Sequence, residues 1–416
     1  MSVKVLPQVA AFLLVLTGAA FAQYPDSVLA TVNLGAASGP VDVCASPDGS
    51  RAYVSVEFGN VLAVETQGYT VVGSCLIGSE LGALTISPGG DSLYVCNVED
   101  ERVEIIATQG MEHLGGFEVG AEPADISLTP DGERALVSCG LYQLWVMDTS
   151  SWTVLETVPV GSSPAGICVL PDGSAACVAR GDAYNATLVD LDDYSAEDLF
   201  TGGDTRGSCA MGGSLVALTL PDWNIVKLMD SATGQVLAEV SGVGESPMEV
   251  CALPSGQYVY VSANQSGQLL VIEAASGMMV DTIEVGGEPL GLSANPGGAE
   301  VYAVDNLTGR MIVVGGSAAG ISPGHGDTGI VLSIAGDNPC PGVALVEIEL
   351  DVGAEASLRI YDASGRELLL RPMGFLAGGA HGVAVDLPAA GVYICSVETP
   401  AGVEAIRLVS TGRRGP

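Results

Sequence analysis

Residues 247–289 read PMEVCALPSGQYVYVSANQSGQLLVIEAASGMMVDTIEVGGEP, and the signals in this stretch decide what kind of chain it belongs to. Pro247 ends a loop and forces the preceding residue into extended backbone, which launches a strand. Pro254-Ser255-Gly256 marks a tight turn. Tyr258–Val261, Leu269–Ile272 and Val280–Val285 are β-rich runs parted by Gly-containing turns, so the stretch holds four short strands.

The pattern recurs. Pro47-Asp48-Gly49, Pro88-Gly89-Gly90, Pro130-Asp131-Gly132, Pro171-Asp172-Gly173, the degenerate Met211-Gly212-Gly213, Pro254-Ser255-Gly256 and Pro296-Gly297-Gly298 follow one another at spacings of 41, 42, 41, 40, 43 and 42 residues. Pro40, Pro123, Pro164, Pro247 and Pro289 each stand seven residues before an anchor. Four strands in ~40–45 residues is the content of one propeller blade. The last repeat stops after its third strand, Met311–Val314, while Val28–Gly35 resembles the fourth strands of the interior repeats. Pairing the two ends would seal a ring and leave no free edge, whereas an open solenoid would carry polar caps. The expectation is an all-β chain: a seven-bladed β-propeller closed by an N-terminal strand, followed by a small Ig-like β-sandwich.

Several strings resemble YVTN repeats: Val259-Tyr260-Val261-Ser262-Ala263-Asn264, Leu270–Glu273, Thr282–Gly286 and Pro289-Leu290-Gly291. Residues 28–314 as a whole are similar to YVTN/YncE-like propellers, which are common in surface-layer and periplasmic proteins. The departures are the missing proline anchor in the fifth repeat and the absence of a literal Tyr-Val-Thr-Asn string.

The chain of 416 residues carries 49 acidic against 14 basic residues, a formal net charge of −35, yet is 48% hydrophobic, which excludes a disordered chain. Such a surface repels nucleic-acid phosphates and anionic headgroups and suits cations or basic partners. Lys4, the apolar run Val9–Ala20 and Ala20-Phe21-Ala22 read as a secretory signal over residues 1–22, with Gln23 as the first mature residue. A retained anchor is the plainer alternative, but the run is short for a bilayer. No later segment is long and apolar enough to span, so a secreted or cell-surface protein is expected, with no nucleic acid as partner.

The propeller is expected over residues 23–315 and a Gly/Ser/Pro-rich linker over 316–327. Residues 328–416 alternate in short strands (Ala344–Leu350, Ala356–Tyr361, Gly382–Leu387, Gly391–Val397, Val403–Val409), as in an immunoglobulin-like sandwich. Asn338-Pro339, Leu358–Arg366, Gly391-Val392-Tyr393 and the basic stretch Arg407–Arg414 resemble the C-terminal sorting domains of type IX secretion and their FlgD-like relatives. That resemblance implies that the tail engages secretion machinery and addresses the protein to the outer surface. Cys340, where an aromatic usually follows Asn-Pro, departs from it, and a plain adhesive sandwich is the alternative.

The chain has only three histidines, and His113 is the one within the propeller, so converging copper or haem ligands are excluded. His113 reads as a solvated turn residue. Ten cysteines occur without a Cys-x-x-Cys pair. Cys44, Cys168 and Cys251 share one repeat position, three residues before their anchors, and read as small buried hydrophobes. Cys168 and Cys177 are symmetric about one turn, and Cys340 with Cys395 is the pair confined to the tail; these are the candidate disulfides. Acidic clusters at Glu99–Glu101 and at Asp190, Asp192, Asp193, Glu197 and Asp198 lack EF-hand spacing. No cofactor is expected, and calcium is the ion these clusters would suit.

By analogy with other propellers, ligands meet the funnel face. The loops between second and third strands supply Glu57, Asn97, Tyr142, Asp182, Trp223, Asn264 and Asp305 as candidate ligand-binding residues. The loops between blades supply Glu80, Glu122, Asp204, Glu245 and Glu288. Such loops are also polar simply because they meet water. Two functions follow. One is a non-catalytic binding or display module for a sugar, peptide or protein. The other is a lactonase-like propeller hydrolase using funnel carboxylates with a divalent cation, for which no catalytic residue can be named.

Overall fold

The computed structural model describes residues 24–35, 39–140, 142–181, 184–316, 330–334, 343–350, 353–362, 367–387, 390–399 and 402–411. The signal segment 1–22, most of the linker and Cys340 lie outside these. Two compact units emerge, Tyr24–Gly316 and a second built from Ser317–Leu387 with Val392–Ser410.

In the first unit five four-stranded antiparallel sheets accompany one seven-stranded sheet. The larger one is two groups joined by a single 17-residue strand, Thr70–Ile86, outermost in one group and innermost in the next. Gly73, Gly78 and Gly82 punctuate this span, but the crossover stays extended throughout. The N-terminal strand Ser27–Asn33 lies antiparallel to Arg310–Gly315, with Thr31 opposite Ile312 and Asn33 opposite Arg310. It thereby supplies the fourth place in the last sheet. The innermost strands adjoin in a cycle: Pro40–Ala45, the end of Thr70–Ile86, Pro123–Leu128, Pro164–Val169, Ser208–Gly212, Pro247–Ala252, Pro289–Ala294 and back to the first.

The core lies between sheets. One cluster joins Val43, Val54 and Val56 of the first sheet to Tyr302, Val304 and Met311 of the last. Second strands such as Ala52–Val56 are buried on both faces, which is why they read as unbroken apolar runs. Outermost strands such as Gln235–Ser241 are largely exposed.

A repeated polar join ties neighbouring sheets at three boundaries. Ser55, Ser138 and Thr219 donate their hydroxyls to the carbonyls of Gly82, Ala165 and Met248 on the following inner strand, at 2.7, 2.7 and 2.8 Å. The Pro-x-Gly turns also stack. Gly132 has φ +72, and a Cβ there would meet the Pro88 ring of the preceding anchor at 3.0 Å. Gly90, Gly132, Gly173 and Gly298 all face the proline of the preceding anchor in this way, so these turns serve neighbouring sheets as well as their own.

The second unit has two antiparallel sheets. Ile330–Ile334, Val343–Leu350 and Gly379–Asp386 form one; Glu367–Leu376, Ala354–Asp362, Ala390–Thr399 and Gly402–Thr411 form the other. Val346, Ile348, Leu358, Ile360, Val385, Cys395 and Val397 share their core. The strand Glu367–Leu376 escapes sequence reading because Pro372 and Gly374 interrupt it. It is an edge strand with a bulged register, where both are tolerated. Among the described residues no helix is long and apolar enough to cross a membrane.

Candidate functional site

Inner strands commonly open with an irregularity, Ser208–Gly212 being the exception, with its slip between Ala210 and Gly212 at the other end. The register slips between Pro40 and Asp42, between Pro164 and Ile167, between Pro247 and Val250 and between Pro289 and Leu292. A bulge re-aims the side chain that follows. The position at these slips is five residues before the anchor, Asp42, Ala83, Asp125, Gly166, Glu249 and Gly291, and Arg206 holds the same place just ahead of Ser208–Gly212. All seven line one cavity of about 870 Å³. Its mouth is formed by Glu57, Val98, Gly140, Gly181 and Asn306, which belong to the loops between second and third strands.

The deeper carboxylates do two jobs. Asp42 accepts the amides of Val43 and, across the sheet boundary, Leu84 at 3.1 Å. Asp125 does the same with Ile126 and with Ile167 at 2.6 Å. Burial pushes the Asp42 carboxyl up to about 7, opposed by the Leu84 amide and reinforced by the charge of Asp125. Burial also raises Asp125, against its two amide bonds and the Arg206 charge. Glu249 rises well above the carboxylate range through burial and then the charges of Asp125 and Asp42. The three acids thus share one field, and Arg206 is the only basic residue of the lining.

The residues named from sequence divide sharply. Glu57 is exposed and lines the cavity, as do Glu80 and Glu122. Glu80 sits on the long strand opposite Phe58 rather than in a loop. Asp204, Glu245 and Glu288 fall outside the lining. Tyr142 and Trp223 are exposed loop tips, Trp223 within a 3-10 turn spanning Pro221–Trp223. Asn264 is half-buried and donates to the Pro289 carbonyl at 3.2 Å. Asp182 lies outside the described residues.

Asn97 and Asp305 face inward, contrary to expectation. Asn97 is fully buried and holds its own turn, donating to Asp100 at 2.9 Å and accepting the Asp100 amide. Asp305, also fully buried, accepts from the Glu288 amide, the Thr308 hydroxyl and Arg310 Nε at 2.8 Å. Burial would raise its carboxyl, but these bonds outweigh it and the net shift is downward. Both residues sit at the end of a second strand, one position short of the loop, where the pleat turns the side chain inward.

Sequence reading missed Asp42, Asp125, Arg206 and Glu249. Their signal was a shared repeat position, visible only when all seven copies are aligned on their anchors. Exposed apolar side chains were also missed: Tyr184 and Leu307 occupy the same loop set as Tyr142 and Trp223, Phe58 opens the third strand Phe58–Glu65, and all five are between 56% and 64% exposed.

Cys168 and Cys177 stand directly opposite in register, and the hydrogen bond between their thiols is the main cause raising Cys177. Both are free thiols, as are Cys44, Cys251 and Cys395. The pairing of Cys395 with Cys340 lies outside the described residues. His113 is on the strand Glu112–Glu118 rather than in a turn, with Nε2 2.8 Å from buried Glu104. Among the described residues, no three His, Cys, Asp or Glu side chains are placed to hold one metal ion. Asp190, in one acidic cluster, instead accepts the turn amides of Asp192 and Asp193.

No family model and no curated protein matches this chain. Solved structures do. A chain of Kuenenia stuttgartiensis hydrazine synthase aligns with TM-score 0.61 and 19% identity, over 68% of this chain and 96% of that one. U3-55K aligns with TM-score 0.63 and 13% identity, over 70% and 99%. At such identities the likeness is one of fold alone. Both are propeller-type, and with the cyclic order of inner strands they identify the architecture of residues 24–316 as a β-propeller.

Proposed function

We propose that this chain is an exported, non-catalytic binding or display protein whose ligand meets the loop face of a seven-bladed propeller. The blade count treats the seven-stranded sheet as two blades sharing the strand Thr70–Ile86. A YVTN/YncE-like ring on an Ig-like, type IX sorting tail is the arrangement that the sequence resemblances favour, and the two-sheet second unit is compatible with such a tail.

The observation that carries the reading is the axial cavity of about 870 Å³, opening among exposed aromatic tips. Its lining contains no Ser, Cys or His arranged as nucleophile and base; Ser163 is its one hydroxyl nucleophile and no histidine accompanies it. Thermal-shift screening of the full chain against peptides, oligosaccharides, lactones and calcium tests this. Stabilisation by a ligand, abolished by Trp223→Ala and Tyr142→Ala without loss of folding, is expected. Lactone turnover that survives in these variants but disappears in Asp125→Asn would replace the reading with a hydrolytic one.

A further inference from the structure

The loop face combines two features that select for one kind of partner. Its cavity is lined by six carboxylates, those of Asp42, Glu57, Glu80, Glu122, Asp125 and Glu249, against the single guanidinium of Arg206. The junctions of second and third strands, which supply Glu57, Val98, Gly140, Gly181 and Asn306 to this lining, also present Phe58, Tyr142, Tyr184, Trp223 and Leu307, each more than half exposed. They stand at five different junctions of second and third strands, Phe58 as the first residue of the strand Phe58–Glu65 and the others in the connections, and a ring of sheets must present these junctions on one face. Phe58 directly follows Glu57, and Leu307 directly follows Asn306, both lining residues.

Large exposed apolar side chains at five of these junctions are not explained by the packing of the ring, because they contribute little to any core. An exposed apolar patch rimmed by polar groups marks an interaction surface. The charge of the cavity then restricts the occupant. A neutral sugar filling it would strip water from the exposed carboxylates of Glu57, Glu80 and Glu122 and return no counter-charge, whereas a cation would also favour the ionised forms of the deeper Asp42, Asp125 and Glu249. A small metal ion would answer the charge but leave the apolar tips without a role, and no three described ligands are placed to hold one. A polypeptide segment bearing Lys or Arg beside apolar side chains satisfies both features. Its cations enter the acidic well, and its apolar groups, together with cation–π contacts, cover the tips.

We infer that the loop face docks a basic, apolar polypeptide segment, with the cations in the axial cavity and the flanks on Phe58, Tyr142, Tyr184, Trp223 and Leu307. This rests on the binding reading above and gives it a partner class.

The test uses the full chain and fluorescein-labelled twelve-residue peptides. One contains Lys and Leu, a second has Glu for every Lys, a third has Ser for every Leu, and a neutral oligosaccharide serves as a further probe. The Lys/Leu peptide is expected to bind, the Glu/Leu peptide not at all, and the Lys/Ser peptide at least tenfold more weakly. Phe58→Ala with Trp223→Ala should weaken the Lys/Leu peptide at least tenfold. Glu57→Gln with Glu122→Gln should flatten its salt dependence. Glu112→Gln with Glu156→Gln, exposed on outer strands, should do neither. An equal loss in that outer-strand variant would overturn the proposal in favour of general attraction to an acidic surface. Oligosaccharide binding that depends on the tips but not on Glu57 and Glu122 would sink the basic partner while keeping the binding face. Insensitivity of every probe to the tip variants would sink both.

Discussion

Asp42 serves the ring and the cavity with the same carboxylate, since the oxygen that receives the Leu84 amide belongs to a group facing the axial space. Its folded value of about 7 lies above the ordinary 3.8. The folded chain therefore keeps a proton between about pH 4 and pH 7 that the unfolded chain has released, and stability falls as pH rises through that window. Asp125 and Glu249 act in the same direction. The turn carboxylates Asp48 and Asp148 are held down to about 2 by Ser46 and by Ser150 and Ser151, so their contribution is lost only as pH drops below about 4. Urea unfolding across pH 3–8 should show maximal stability on the acid side of neutral. Asp42→Asn should flatten the decline between pH 4 and pH 7, and an unchanged slope would show that Asp42 is ionised throughout. Asp42 was legible only as a repeat position. Its orientation was not, because the bulge after Pro40 depends on the strand beside it.

At the scale of the strand, three of the second strands join the following sheet through a single hydroxyl, that of Ser55, Ser138 or Thr219. Ser138 is fully buried, donates to the Ala165 carbonyl at 2.7 Å and accepts the Asp125 amide at 3.0 Å. Ser138→Ala leaves both backbone groups without their partner and should cost about 1–3 kcal/mol. Denaturant titration against Ser150→Ala, an exposed turn hydroxyl, would check it; equal losses would mean that the join is not what stabilises the boundary. The strands themselves were plain in the sequence, since Pro starts, Gly-containing turns and apolar runs repeat. Exceptions arose where a strand disobeys its local signals, as in Thr70–Ile86 with its internal glycines and Glu367–Leu376 with Pro372. Neighbouring strands hold these extended despite their composition.

At the scale of the whole ring, closure depends on Ser27–Asn33 lying against Arg310–Gly315. Deleting residues 24–34 should bare that edge and the apolar seam of Val54, Tyr302 and Met311. Size-exclusion chromatography is expected to show concentration-dependent association, and thermal unfolding should lose its single cooperative transition. A monomer that melts as the full chain does would mean that the seam is dispensable. By itself the sequence determined the repeat, the four strands per repeat and the strand exchange between the ends, because period and turn chemistry are local properties that recur. Tertiary structure alone decided which polar residues face the axial cavity. Asn97 and Asp305 turn inward and Asp42, Asp125 and Glu249 turn to the axis because strand pleat, bulge and adjoining sheet set a side chain's direction, and no single repeat contains all three.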